Sequence, residues 1–175
     1  TGIKPYKHQK CSLEKNFLMT KTLFVDAHTF DEHHQGIRTF IKGIYEFIDV
    51  SPSELQIFLA AYDIENLKTE FSNQAYFKFI KLKSKNKYRR LAFEIPKIIK
   101  DYKFDFAHFN YYLPLFLNKK CKYIVTIHDV LFIDYPQYFS FKYRLINTFL
   151  FKRSAINANI VTTVSNYSAD RIKTN

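Results

Sequence analysis

The chain of 175 residues has little of the residue types that define several protein classes. It has three Gly, five Pro and no Trp, which excludes collagen-like and low-complexity chains. Its two Cys, Cys11 and Cys121, are too few for a disulfide framework or a four-cysteine zinc site. No apolar run approaches the roughly 18 residues that a membrane-spanning helix needs. The length suffices for one domain with a buried core.

The first 18 residues lack both an apolar leader segment and any periodic pattern. They are polar and basic, whereas Met19, the only Met, opens the first regular segment. We therefore predict that residues 1–18 are an N-terminal extension outside the fold, or an ordinary N-terminal arm, and that the domain occupies residues 19–175. Without a leader or a spanning segment, the chain is expected to be cytoplasmic, with access to the inner face of the membrane.

Three motifs of nucleotide-binding and hydrolytic enzymes are missing. The sequence has no G-x-G-x-x-G, no P-loop and no G-x-S-x-G, so dinucleotide-binding, nucleotide-kinase and hydrolase functions lack support. His28, Asp31, His33 and His34 resemble a metal site in composition only. They lie in one loop without the helical spacing of metal ligands, so a solvated loop is expected and no metal is predicted.

Negative charge is scarce compared with positive charge. Lys and Arg number 27 against 16 Asp and Glu, a formal net charge of +11. This excess favours contact with a polyanion, although the joint abundance of Lys, Asn, Ile, Phe and Tyr also fits the compositional bias of an AT-rich genome. The densest basic run predicts a membrane or polyanion patch, or else a solvated face, and comprises Lys78, Lys81, Lys83, Lys85, Lys87, Arg89 and Arg90.

Apolar runs alternate with helical periodicity along the chain. Strands are predicted over residues 22–26, 55–61, 104–109, 122–127 and 159–164, with an edge strand within 71–82. Helices are predicted over 36–48, 88–102 (interrupted or kinked at Pro96), 140–158 and 168–173. The third helix is expected to turn its apolar side inward, with Tyr143, Ile146, Phe149, Leu150 and Ile156. Because most strands are continuously apolar, the pattern predicts a doubly wound α/β domain with a mainly parallel sheet.

Polar residues lie at or just beyond the carboxyl ends of four of the predicted strands. They are Asp26 and His28, His108 and Asn110, His128 and Asp129, and Ser165 and Asn166. A single polar residue after a strand is often only a helix cap. Because ligands of open parallel sheets bind at the carboxyl ends of the strands, four such ends favour a shared cleft.

Several segments together resemble a known enzyme family. IVTIHDVLFIDYPQYFSF and FLFKRSAINANIVTTVSNYSADRI are similar to the N-terminal half of the retaining glycosyltransferases of family 4, which have the GT-B fold. FVDAHTF, QGIRTFIKGIYEFI and FDFAHFNYYLP resemble upstream segments of the same family. The order of the segments matches over roughly residues 19–175. One departure is Gln35, where the family usually has the first of two adjacent glycines.

The resemblance implies roles for individual residues. Gly36 would present its backbone N–H to the phosphates of the donor, and Arg38 would add positive charge there. His128 would be the catalytic residue, lying beside the transferred sugar. The remaining expected residues would line the acceptor side of the cleft: Asp26, His108, Asp129 and Ser165.

The resemblance also implies the reaction and its partners. A sugar would pass from a nucleotide-sugar donor to a hydroxyl of a glycan or lipid-linked acceptor with retention, in cell-surface polysaccharide or glycolipid synthesis. Neither a metal nor another cofactor is expected, and no nucleic acid. The donor domain of the family is absent from the sequence, so this chain alone is expected to be inactive. The alternative is a basic domain that binds a nucleic acid or an anionic membrane without catalysis.

Overall fold

The computed structural model describes residues 20–31, 35–71 and 76–174. Its centre is a sheet of six strands, all parallel, in the order β3-β2-β1-β4-β5-β6. The strands are β1 (Lys21–Asp26), β2 (Leu55–Ala61), β3 (Phe77–Lys81), β4 (Phe106–Asn110), β5 (Lys122–Thr126) and β6 (Ile160–Thr162). This arrangement confirms the predicted α/β class and parallel sheet, and β3 is an edge strand as predicted.

Helices cover both faces of the sheet. They are α1 (Gln35–Tyr45), α2 (Ile64–Glu70), α3 (Lys87–Arg89), α4 (Ile95–Tyr102), α5 (Leu131–Asp134), α6 (Phe141–Asn157) and α7 (Asn166–Thr174), with short 3₁₀ turns at His28–Asp31 and Pro136–Tyr138. No helix in the described ranges has the length and apolarity to cross a membrane. The sequence pattern did not predict α2 or α5.

The two faces of the sheet bury separate cores. On one face, Leu23 and Val25 of β1 pack with Ile41 and Tyr45 of α1. On the other face, Phe24 packs with residues of α4 and α6. Successive side chains of a strand point to opposite faces of the sheet. Whether a residue lies at an odd or an even position in its strand therefore decides which of the two faces it joins. We call these the α1 face and the α4/α6 face.

The helix predicted over 88–102 is present, but Pro96 does not break it. A π-helical turn, Arg90–Glu94, joins α3 to α4, and the N–H of Ile95 bonds to the carbonyl of Arg90. Proline has no N–H to donate and its ring crowds the preceding turn. The wider π turn directly before it accommodates both effects, so the chain stays helical.

The inward side of α6 differs from the prediction. Tyr143, Phe149 and Ile156 are 47%, 64% and 80% exposed, while the buried residues include Asn147, Leu150, Phe151 and Ser154. Two of these buried side chains, which are polar, explain why α6 is rotated about its axis relative to the predicted orientation. Asn147 accepts a hydrogen bond from the hydroxyl of Tyr112 (2.6 Å), and the hydroxyl of Ser154 accepts one from the backbone N–H of Leu113 (2.9 Å). These bonds to the segment after β4 turn apolar side chains outward.

A chain of polar side chains runs through the α1 face. The Tyr45 hydroxyl contacts Nδ1 of His108 (2.5 Å), whose Nε2 contacts Oγ1 of Thr126 (2.7 Å), which in turn contacts Oγ1 of Thr162 (2.7 Å). Tyr45 retains its proton because burial raises its pKa. Burial lowers the pKa of His108 to about 4, and the nearby His128 acts in the same direction. The ring is therefore neutral, accepting at Nδ1 and donating at Nε2.

The buried neutral ring of His108 should make the domain acid-sensitive. An unfolded chain takes up a proton at this residue near its ordinary pKa of 6.5, whereas the folded chain resists protonation until about 4. Stability is therefore lost as pH falls through this window, by about 2 kcal/mol between about pH 7 and about pH 5. Urea unfolding of wild type and His108→Gln at both pH values measures it. The variant should lose less stability on acidification, and equal losses in both proteins would contradict the assignment.

Candidate functional site

The strand order reverses between β1 and β4, which lie side by side at the centre of the sheet. In open parallel sheets, ligands bind outside the carboxyl ends of the strands at this point. β1 ends at Asp26 and β4 at Asn110, and the neighbouring strand β5 leads directly to His128. The predicted strand-end residues therefore lie along one edge of the sheet, although they divide between its two faces.

His128 lies on the α1 face, and neighbouring side chains hold its ring on three sides. Its Nε2 bonds to Oδ1 of Asn110 (2.9 Å). The ring of Phe40 from α1 meets it edge-on at 4.8 Å between centroids, and the ring of Tyr111 lies at 5.5 Å. The ring is half-buried.

The protonation of His128 follows from these contacts. Burial lowers its pKa from the ordinary 6.5, and the carboxylate of Asp129 opposes this only in part. The ring is therefore neutral near pH 7, and Nε2, facing an oxygen, carries the proton. Nδ1 has no hydrogen-bond partner among residues 20–31, 35–71 and 76–174. It is left as an acceptor for a ligand's hydroxyl group.

Asn110 also has a side-chain group without a hydrogen-bond partner in the described residues. Its amide nitrogen Nδ2 is buried and has no partner within the described parts of the chain. A buried N–H without a partner is costly, so this donor calls for a partner outside the described residues, such as a water or a ligand. Asn110 thus orients His128 through its oxygen and retains a donor at the same strand end.

Tyr111 closes the site with a strained turn. Its φ is 65°, a left-handed value that aromatic residues rarely adopt, and the N–H of Tyr112 bonds across it to the carbonyl of Asn110 (2.9 Å). Its hydroxyl donates to Asp129 (2.6 Å), and burial together with that carboxylate raises the pKa of Tyr111. Asp129 also accepts from the N–H of Leu131 at the start of α5 (3.1 Å). Asp129 therefore fixes the loop after His128.

Ser165 and His108 have structural partners as well as strand-end positions. The Ser165 hydroxyl accepts from the N–H of Ser168 (3.1 Å), so it caps α7, and the hydroxyl of Ser168 donates to the carbonyl of His128 (3.0 Å). His108 is only 3% exposed and lies two residues before Asn110 on the same face of β4. It borders a pocket of about 340 Å³ between α1 and β4 to β6, lined in part by Phe40.

Gly36 lies one helical turn before Phe40 on α1, and Phe40 is the residue of this helix whose ring contacts His128. No described atom lies within 4 Å of the position that a Cβ on Gly36 would take. Arg38 is engaged within the domain: its guanidinium pairs with Glu70 of α2 and lies over the ring of Phe30 at 5.3 Å. Lys42 shares the same Glu70 carboxylate.

Asp26 belongs to the α4/α6 face, opposite His128. It is 4% exposed and accepts a hydrogen bond from Nδ1 of His28 (3.0 Å). Burial acts to raise its pKa, but the attraction of His28 and of Arg90 outweighs this, so the pKa of Asp26 is lowered. Asp26 is a buried carboxylate engaged by His28 and by the charge of Arg90, and it does not belong to the same cleft wall as His128.

The predicted basic patch is smaller than its sequence suggests. Arg90 is only 4% exposed, because its guanidinium turns inward to the carbonyls of Ser84 and Lys85, so it is not a surface contact for a polyanion. Lys87 is half-buried and stands over the ring of Tyr112 at 3.9 Å. The exposed members are Lys78, Lys81, Lys83, Lys85 and Arg89.

The loop with the histidine cluster lies partly outside the described residues, which exclude His33 and His34. Asp31 accepts the backbone N–H groups of Tyr62 and Asp63 (3.0 and 2.6 Å). Within the described residues, no group of three or more His, Cys, Asp or Glu side chains could hold a metal ion.

Comparison with known proteins supports the resemblance in the sequence. The family model of Glycosyltransferase Family 4 matches residues 47–175, which include His108, His128, Asp129 and Ser165. Asp26, Gly36 and Arg38 precede the matched range. A search of curated proteins found no match. The match covers most of the chain, and the parallel sheet with helices on both faces agrees with half of a GT-B architecture. The chain therefore belongs to glycosyltransferase family 4 as an N-terminal domain.

Proposed function

We propose that this glycosyltransferase domain supplies the acceptor-side wall of a site that moves a sugar from a nucleotide-sugar donor to an acceptor hydroxyl with retention. The observation that carries the proposal is the oriented, neutral ring of His128 at the end of β5. Its Nε2 is bound to Asn110, and its Nδ1 remains available to a hydroxyl group. Membership of the family supports the general reaction.

The surroundings of His128 suit a sugar. Hydroxyl groups donate readily to a neutral imidazole nitrogen, and a ring fixed on its other side loses little freedom when it binds. Phe40 and Tyr111 offer flat apolar surfaces beside it. The buried amide N–H of Asn110 is a donor at the same strand end. Together these groups provide an acceptor, a donor and apolar walls.

The donor diphosphate would lie at the start of α1. The first turn of an α-helix has N–H groups without intrahelical partners and the positive end of the helix dipole, and no described atom lies within 4 Å of a Cβ built on Gly36. In this proposal dipoles and side-chain cations, not a metal, offset the charge of the leaving diphosphate. Since Arg38 is paired with Glu70, we assign it a weaker part than Gly36. The opposite wall would come from the second domain of the family's architecture, and the acceptor would be a glycan or a lipid-linked glycan.

The pKa of His128 tests the electrostatics of the site. Asp129 raises this pKa while burial lowers it, so Asp129→Asn should move the pKa further down. NMR titration of the imidazole Cε1–H signal measures the shift, and Gln137→Ala, an exposed change in a nearby turn, serves as the control. An unchanged or raised pKa in Asp129→Asn would contradict the arrangement.

Binding of donor fragments tests the proposed function. With only one wall, we expect roughly millimolar affinity for a nucleotide sugar, about −4 kcal/mol. A panel of nucleotide sugars is titrated against the ¹⁵N-labelled chain, with each matching nucleoside diphosphate as the comparison. The sugar-bearing ligand of one pair should perturb the imidazole signals of His128 and bind more tightly than its diphosphate.

The variants separate sugar contact from general binding. His128→Ala should abolish the preference for the sugar-bearing ligand and leave diphosphate binding unchanged, whereas Gln137→Ala should behave as wild type. A preference that survives in His128→Ala, or sugar and diphosphate ligands that never differ in wild type, would show that His128 does not contact the sugar.

A further inference from the structure

The α4/α6 face carries an apolar groove that the glycosyl-transfer site does not use. Its volume is about 740 Å³, and it runs between the helical segment 87–94 and α6. Leu91, Leu113 and Leu150 form its buried floor, and Phe93, Leu145 and Phe149 form its walls. Arg89 is the one charged side chain among the described residues that line it.

The walls of the groove are unusually open to water. Phe93, Leu145 and Phe149 are 69%, 62% and 64% exposed. Phe116, which follows the groove-lining residue Leu115 in the sequence, is also 64% exposed. Single exposed apolar residues are common, but contiguous patches on soluble domains usually mark an interaction surface. The hydrogen bonds of Asn147 and Ser154 hold α6 in this rotation, so the exposure is built into the fold.

The segments that form the groove carry positive charge and no negative charge. Residues 78–93, 113–120 and 141–157 contain no Asp or Glu. The exposed cations on these segments include Lys83, Lys85, Arg89, Lys119, Lys120, Lys142 and Lys152. Glu94, the first carboxylate after Phe93, is tied to the backbone N–H groups of Lys83 and Ser84. The local charge is therefore strongly positive around an apolar centre.

This combination selects the occupant. A second copy of the same face would bring two positive rims together without a carboxylate on either side. A purely apolar partner would leave the cations without counter-charges. An anionic amphiphile satisfies both features, because its acyl part fills an apolar surface while its headgroups meet lysine and arginine.

We propose that the α4/α6 face docks on a bilayer of anionic phospholipid, with Phe93, Leu145 and Phe149 entering the acyl boundary and the surrounding cations at headgroup level. The basic run alone predicts only electrostatic contact, whereas the groove adds an apolar anchor. The proposal does not depend on the proposed function, since His128 and Phe40 lie on the α1 face. The two surfaces are separable by mutation.

Co-sedimentation with vesicles tests the docking surface. The 175-residue chain should bind vesicles of equimolar phosphatidylcholine and phosphatidylglycerol, and should bind pure phosphatidylcholine far less. The double variant Phe93→Ser/Phe149→Ser should bind the mixed vesicles at least about tenfold more weakly, because two apolar anchors are lost. Lys142→Gln/Lys152→Gln should weaken vesicle binding most at low salt. At high salt the attraction of these lysines to the lipid headgroups is already screened, so removing them should change binding less.

Matched controls make the result specific. Phe47, just after α1, is 79% exposed, so Phe47→Ser removes an equally exposed aromatic residue outside the groove, and binding should stay at the wild-type level. His128→Ala should also bind vesicles as wild type does. The proposal is overturned if wild type ignores anionic vesicles, if Phe47→Ser weakens binding as much as the groove variant, or if the groove variant retains full binding. Concentration-dependent dimers that the groove variant abolishes would assign the face to self-association instead.

Discussion

The parallel register of β4 and β5 is the constraint on which the candidate site depends. Asn110 lies opposite Thr126, so the residue two positions beyond Thr126 reaches back diagonally to Asn110. In the same way, His108 lies opposite Ile124 and contacts Thr126, which is two residues further along β5. Two histidines are thereby held by the same geometry, one in the core and one at the edge. A shift of β5 by one residue against β4 would move Thr126 and His128 to the opposite face from His108 and Asn110, and both contacts would be lost.

The difference between the two histidines is burial. His108 has protein partners on both ring nitrogens and a pKa of about 4, which suits a neutral core residue. His128 has one nitrogen held by Asn110, and it lies where the chain leaves the sheet. The buried polar chain below it fixes β4, β5 and α1 relative to one another. This support fixes the orientation of the His128 ring, whose Nδ1 has no partner in the described parts of the chain.

Much of the fold could be predicted from the sequence, because apolar runs and their caps are local. The strand 55–61 was predicted with its observed bounds, and Ser140 caps α6 at the predicted start. The strained turn at Tyr111 could not be predicted, since no glycine marks it. The inward course of Arg90 and the rotation of α6 depend on hydrogen bonds to segments distant in sequence. The position of Asp26 and His128 at strand ends predicts that both lie along one edge of the sheet. Their division between opposite faces depends on the alternation of side chains along each strand and on the strand register.

The two faces of the domain have separate chemistry. The α1 face brings the N-terminal end of α1, two aromatic rings and His128 to one strand end. The α4/α6 face presents apolar side chains on segments that carry exposed Lys and Arg but no Asp or Glu within residues 78–93, 113–120 and 141–157. The sheet lies between them, and its central strands are largely buried. The proposed sugar-transfer site and the proposed membrane contact therefore lie on different faces of the domain.

The most direct test of the site is the tautomer of His128, which ¹⁵N NMR of the imidazole reports. We predict a neutral ring near pH 7 that carries its proton on Nε2 and none on Nδ1, and we predict that Asn110→Ala populates both tautomers. A ring protonated on Nδ1, or a tautomer that does not change in Asn110→Ala, would contradict the claim that Asn110 orients His128 for a hydroxyl donor.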